Sequence, residues 1–119
     1  MTLWFLRGLR RGIVTTRYPA RPEPSAAYLP TPPAFRPDVL TAGTARRLAV
    51  ICPSHALRFD AGTGAAGTGT LFFDVGACTC CGRCAAEAPG AVTVSGEWEL
   101  ATTGRSALIK TIPLRGEAP

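Results

Sequence analysis

Apolar and basic positions recur with helical spacing along residues 3–15. Phe5, Leu6, Leu9 and Ile13 share one side of a helical wheel, and Arg7, Arg10 and Arg11 share the other. Leu3, Trp4 and Val14 fall near the arginine side, and Gly8 and Gly12 weaken the helix. The pattern predicts a short, imperfectly amphipathic helix. Over residues 18–38 the period disappears. Pro19, Pro22, Pro24, Pro30, Pro32, Pro33 and Pro37 exclude a long helix or an inner strand and predict an extended arm. Tyr18, Tyr28, Leu29 and Phe35 are interleaved with them, which suits wrapping over a surface better than spacing two bodies apart. Periodicity returns at Thr44–Ile51, a helix opened by Thr44 and closed before Pro53. Ala56–Asp60 and Thr70–Val75 predict two short strands, joined by the small-residue loop Ala61–Gly69. Cys81–Ala88 predicts a second short helix, and Val92–Ser95 with Trp98–Ala101 a second hairpin around Gly96. The order is helix, hairpin, helix, hairpin, a loose duplication with a proline just past each helix, at Cys52-Pro53 and Ala88-Pro89. The expected class is α+β. Residues 102–119 read as a tail with one apolar stretch, Ala107–Ile112.

Length and charge narrow the picture. A chain of 119 residues has room for one compact domain at most. No apolar run approaches the ~18 residues of a transmembrane helix. A membrane span and a large enzyme with a deep private core are both excluded. The first 50 residues carry eight arginines against two acids, Glu23 and Asp38, whereas residues 51–119 carry five basic side chains against six acids. The net charge of +5 therefore belongs to the N-terminal half. Three readings fit the basic helix: contact with an anionic membrane surface with Trp4 at the interface, an arm packed on a partner protein, or a mitochondrial presequence. No nucleic-acid reader fold accompanies the charge, so no nucleic-acid partner is expected.

The five cysteines are Cys52, Cys78, Cys80, Cys81 and Cys84. Their odd number, and the crowding of four into seven residues, argue against a secreted disulfide framework. Leu3-Trp4-Phe5-Leu6 is too short for a secretory signal, and Arg10-Arg11 lacks the apolar run of a twin-arginine signal. Reduced thiols used as metal ligands are the better reading. Cys78, Cys81 and Cys84 form C-x2-C-x2-C, a spacing that lets three thiolates from one tight loop and a first helical turn converge on a cubic cluster. In bacterial two-cluster ferredoxins the run is C-x2-C-x2-C-x3-C-P, and its fourth cysteine serves the other cluster. Here the fourth position is Ala88, before Pro89, and the matching Cys-Pro is Cys52-Pro53.

Counting back from Cys52 by the same spacing reaches Ala42, Ala45 and Leu48, none of which binds iron. One ligand set, Cys52, Cys78, Cys81 and Cys84, is complete, and the other, positions 42, 45, 48 and 88, is wholly apolar. Independent loss of half the ligands would leave one complete set in only about 3% of cases under the swapped-ligand rule. The expectation is one [4Fe–4S] cluster, with the vacated site filled by small apolar side chains. Zinc is the rival. Four-cysteine zinc sites usually come from two separate knuckles, and this overlapping spacing suits them poorly. Cys80 is out of phase and expected to bind nothing. Arg83 is placed to tune a potential by its charge or to be a solvated surface residue, and His55 reads as a surface residue. Gly62–Gly69 lacks the Lys-Ser/Thr of a phosphate loop, and no acid–base set surrounds the single histidine. No catalytic residue and no small-molecule substrate are expected.

These residues resemble the ferredoxin-type iron–sulfur subunit of complex I and of group 4 membrane-bound [NiFe] hydrogenases, formate hydrogenlyase included. Three stretches carry the resemblance: Gly12-Ile13-Val14-Thr15-Thr16-Arg17-Tyr18-Pro19; Phe73-Asp74-Val75-Gly76-Ala77-Cys78 through Cys84; and Ala91-Val92-Thr93-Val94-Ser95 with Glu97-Trp98-Glu99-Leu100-Ala101. It implies a ferredoxin-like core with an extended Pro-rich N-terminal arm. It further implies an electron-transfer subunit clamped between other subunits of such a complex, peripheral on the cytoplasmic side of the cell membrane, with its N-terminal helix on the membrane surface. Two departures, one absent cluster run and a short tail, place at most one cluster where the family holds two. The chain divides accordingly into an N-terminal helix (1–17), a Pro-rich arm (18–41), a ferredoxin-like domain (42–101) and a tail (102–119). A scaffold subunit with a metal staple off the electron path, cluster or zinc, and a free ferredoxin are the alternatives.

Overall fold

The computed structural model describes residues 3–12, 17–23, 29–62 and 69–114. It is an α+β arrangement of three helices and two small antiparallel sheets among those residues. The expected end of the first helix beyond Gly12, the middle of the arm at 24–28, most of the loop Ala61–Gly69 and the last five residues lie outside the described residues.

Helix α1 spans Leu3–Arg11 and buries none of its residues. Leu3, Trp4, Phe5, Leu6 and Leu9 all lie more than half exposed. No helix among the described residues is long and apolar enough to cross a membrane. Tyr18, further along, packs its ring on Trp98 at 4.9 Å between centroids.

Strand β1 (Pro33–Phe35) lies in the Pro-rich segment, which reads from sequence as extended and unable to form an inner strand. It pairs antiparallel with β4 (Val92–Val94), Ala34 opposite Thr93. The ladder is extended at both ends: Arg36 N–H donates to the Ala91 carbonyl at 2.9 Å, and Ser95 N–H to the Pro32 carbonyl at 3.1 Å. A two-stranded sheet has only edges, and an edge tolerates a residue without an N–H. Thr31 is buried and its Oγ1 accepts from Gly96 N–H at 3.1 Å. Phe35 then meets Phe73 edge-on at 5.2 Å, and Leu40 is buried. Residues 29–41 therefore belong to the domain. The predicted hairpin between Val92–Ser95 and Trp98–Ala101 does not form: β4 pairs with β1, and 98–101 is not a strand.

Helix α2 (Ala42–Ile51) starts two residues earlier than predicted. Its cap is Thr41, whose Oγ1 accepts from Thr44 N–H at 3.2 Å. It stops where Pro53 forces the residue before it out of the helical region, and Cys52 is extended at φ −69°, ψ 111°. Strands β2 (Leu57–Asp60) and β3 (Gly69–Asp74) pair as predicted. The third strand of that sheet, β5 (Ile109–Leu114), comes from the supposed tail and pairs with β3, Leu71 opposite Ile112. Pro113 is tolerated because β5 is an edge. The inward face alternates with period two: Leu57 and Phe59, Leu71 and Phe73, Ile112 and Leu114. Gly69 is obligatory there, since a Cβ would stand 2.6 Å from the Phe59 ring.

Helix α3 is shorter than predicted, Arg83–Glu87, because Gly82 before it is left-handed at φ 75°. It ends at Ala88, again before a proline. The side chains of the vacated ligand set, Ala45, Leu48 and Ala88, are buried in one core, with Ala42 packed against it. Arg47 and Glu87, each beside one of them in sequence, form an ion pair at 3.3 Å that ties α2 to α3. Leu48 is wholly buried, whereas Val50 on the same helix is 79% exposed. Leu48→Ala is expected to lower stability by about 2–5 kcal/mol, and Val50→Ala by less than about 0.5 kcal/mol. Paired urea melts check both values. Equal midpoints would mean that the core does not run through this position.

Candidate metal centre

Two segments bring the cysteines together. Pro53 turns Cys52 off the end of α2, and His55 N–H donates back to the Cys52 carbonyl at 3.2 Å, closing the turn. On the other side, β3 runs into a 3-10 turn, Val75–Ala77, which delivers Cys78 in extended backbone at φ −72°, ψ 127°. Asp74 N–H donates to the Ala56 carbonyl at 2.8 Å, so the start of this turn is fixed to the segment that follows Cys52. The Asp74 carboxylate also holds Arg105 at 2.7 Å. From Cys78 the loop passes a left-handed Cys80 (φ 52°), an exposed Cys81 and the left-handed Gly82, and enters α3 with Cys84 in its first turn.

All four predicted ligands, Cys52, Cys78, Cys81 and Cys84, line a single cavity of about 150 Å³. That is roughly ten times the space one water needs. Its walls are largely apolar, with Leu57 and Phe73 on the core side and Leu29, Pro30, Pro33 and Val94 on the other. Cys80 and Arg83 also reach the lining. The sequence reading missed the wall contributed by residues 29–33. The signal for it was the apolar side chains Leu29 and Phe35 interleaved among the prolines. His55 is exposed and does not line the cavity.

All five cysteines are free thiols. Burial acts to raise the Cys52 thiol, but Ser54 Oγ, 3.6 Å from Sγ, and backbone hydrogen bonds from Leu57, Ala56 and Ser54 outweigh it and leave Cys52 below the ordinary thiol value. Burial pushes Cys78 up, opposed by the Cys80 N–H that donates to its Sγ at 3.4 Å and reinforced by repulsion from Cys80 and Cys84. Burial likewise raises Cys84, against backbone hydrogen bonds from Ala85 and its own N–H, with repulsion from Cys81 and Cys52 adding to it. Cys52 is thus close enough to Cys84 to repel its thiolate form.

Among the described residues no three His, Cys, Asp or Glu side chains stand close enough to hold a single metal ion. A zinc ion at its usual 2.3 Å from sulfur draws its thiolates to about 3.8 Å of one another. Four thiols around a shared, largely apolar cavity are a donor set suited to a larger soft group, since thiolates are the ligands of iron–sulfur clusters.

No protein-family model matches the chain, and no curated protein matches it significantly.

Proposed function

We propose that the chain is a non-catalytic electron-transfer subunit that holds one [4Fe–4S] cluster on Cys52, Cys78, Cys81 and Cys84. The observation that carries the reading is the meeting of Cys52 with the 78–84 loop at one cavity, while of the second ligand set Ala45, Leu48 and Ala88 go into the core and Ala42 packs against it. An iron–sulfur cluster on four thiolates would supply one-electron transfer when bound. The chain's own part is to present four sulfurs, to exclude water on the core side with Leu57 and Phe73, and to set the local charge with Arg83. The ferredoxin-like character of the fold is part of this proposal. It is supported by the repeated helix-then-Pro pattern at Cys52-Pro53 and Ala88-Pro89.

The assembly is proposed to be membrane-associated and related to complex I or group 4 hydrogenases, with the chain on the cytoplasmic face. Support comes from α1, which carries Arg7, Arg10 and Arg11 opposite an apolar face that buries nothing within the chain. The test of the cofactor is anaerobic reconstitution of the full chain with iron and sulfide. The expected product has four irons and four sulfides per chain, a broad visible absorption that bleaches on reduction, and the EPR signal of one reduced cluster. A chain that takes up one zinc and no iron, or two clusters, would overturn the proposal.

A further inference from the structure

The turn that carries Cys52 brings a second side chain to the site. Pro53 and Ser54 are the middle residues of the turn that the His55 N–H closes on the Cys52 carbonyl at 3.2 Å. Proline at the first of these positions presets the backbone angle such a turn requires. His55 follows in left-handed backbone at φ 53°. The chain thus doubles back within three residues, and the Ser54 side chain returns to that of Cys52. Its Oγ lies 3.6 Å from Cys52 Sγ in a hydrogen-bonding contact, and both residues line the cavity. In the free chain either atom can be the donor. A cysteine that ligates a metal is an acceptor only, because its sulfur binds as the thiolate. A serine hydroxyl is not among the side chains that titrate in water, and it always has a proton to donate. In the loaded chain the contact therefore runs from Ser54 to Cys52.

We propose that Ser54 is a positioning residue for electron transfer, whose hydroxyl donates to the ligand sulfur of Cys52 and thereby raises the reduction potential of the group held at the site. The inference rests on the function proposed above. An added electron increases the negative charge on the ligand sulfurs, so a donor aimed at one of them stabilises the reduced form more than the oxidised form. The 78–84 loop brings a backbone donor to its own ligand, the Cys80 N–H on Cys78 Sγ at 3.4 Å. Ser54 is the counterpart at Cys52, and there the donor is a side chain. The turn itself, closed by Pro53 and the His55 N–H, does not use the hydroxyl. The hydroxyl is what distinguishes serine here from alanine.

The experiment is an EPR-monitored redox titration of the reconstituted full chain at one pH. It compares wild type with S54A and S54V, which lose the donor, and with S54T, which keeps it. Valine matches threonine in shape, so S54V against S54T separates the donor from the volume. The expected result is unchanged iron and sulfide content in all variants. S54A and S54V should show a reduced-to-oxidised ratio roughly three- to tenfold lower at the wild-type midpoint, where tenfold corresponds to 59 mV for one electron. S54T should return to the wild-type midpoint. Resonance Raman spectra in ordinary and heavy water give a second readout. The shift of the iron–thiolate stretches on deuteration should be larger in wild type than in S54A and S54V. Wild-type midpoints in S54A and S54V would overturn the inference, as would deuterium shifts equal to wild type. An equal fall in S54T would mark a packing effect and overturn it. Loss of iron in S54A and S54V would make the hydroxyl a requirement for loading and overturn it too. A wild-type chain that binds no cluster overturns the proposed function itself, and this inference with it. A normally loaded wild type with unshifted variants overturns only the inference.

Discussion

Cys52→Ala is expected to abolish cluster loading, with iron falling to less than about a tenth of the wild-type content after reconstitution. Cys52 is the only proposed ligand outside the 78–84 loop, and it reaches the cavity because Pro53 stops α2 one residue before it. Ser54 Oγ lies 3.6 Å from its sulfur but offers a neutral hydroxyl, a poor match for a soft metal. His55 is exposed and outside the cavity. Cys80 belongs to the 78–84 loop, with its N–H on Cys78 Sγ. No side chain is therefore poised to replace the missing thiolate. The loss should extend to stability, because a group that binds only the folded chain contributes its binding energy to folding. The staple would join the end of α2 to the loop ahead of α3. Its removal should cost about 3 kcal/mol, the size of losing a covalent cross-link in a small domain. Iron analysis and urea melts of loaded wild type and variant check the two parts. Four irons retained in the variant would remove Cys52 from the ligand set.

Deletion of residues 1–23 is expected to leave the cluster in place and to lose attachment to anionic membranes. The deletion ends before Leu29 because residues 29–41 supply β1, the Phe35 contact and part of the cavity wall. A longer cut, to residue 38, would damage the fold and confound the result. The segment removed contains α1, with its exposed Trp4, Phe5, Leu6 and Leu9, together with Arg7, Arg10, Arg11, Arg17 and Arg21. Each basic residue contributes about 1 kcal/mol near an anionic leaflet. Losing Arg7, Arg10 and Arg11 alone corresponds to roughly a hundredfold weaker binding, and the apolar face adds to this. Flotation with phosphatidylserine-containing vesicles, with and without added salt, measures it. Undiminished flotation of the shortened chain would show that α1 is not the anchor. Binding of neither form to vesicles would assign the helix to a protein surface.

Local rules placed much of the candidate site. Pro53 and Pro89 forbid continuation of the helices before them, so the places of Cys52 and Ala88 at helix ends were legible from two dipeptides. The C-x2-C-x2-C spacing fixed which sulfurs share a loop. The alternation in residues 57–60 and 69–74 marked β2 and β3, because a half-buried strand needs apolar side chains on one face only. Even the burial of Ala45, Leu48 and Ala88 followed from counting the ligand spacing backward from Cys52.

What the tertiary structure alone decided is where the ambiguous segments go. Pro33–Phe35 reads as extended on any local criterion, and only the free edge of β4 makes it a strand. Ile109–Leu114 carries Lys110 and Pro113, which break the apolar alternation, yet it completes the sheet because β3 still had an unpaired edge. The expected hairpin at 98–101 does not form, and β4 pairs with the distant β1. Thr41 took the cap from Thr44 because its hydroxyl, one residue ahead of the helix, faces an unpaired N–H. The left-handed backbone of Cys80, which turns its N–H onto Cys78 Sγ, depends on how the loop between β3 and α3 must bend to meet Cys52. Spacing along the chain selects residues able to share a site. Edge pairing and closure of the loop, both long-range, determine the walls around it and the direction in which each donor points.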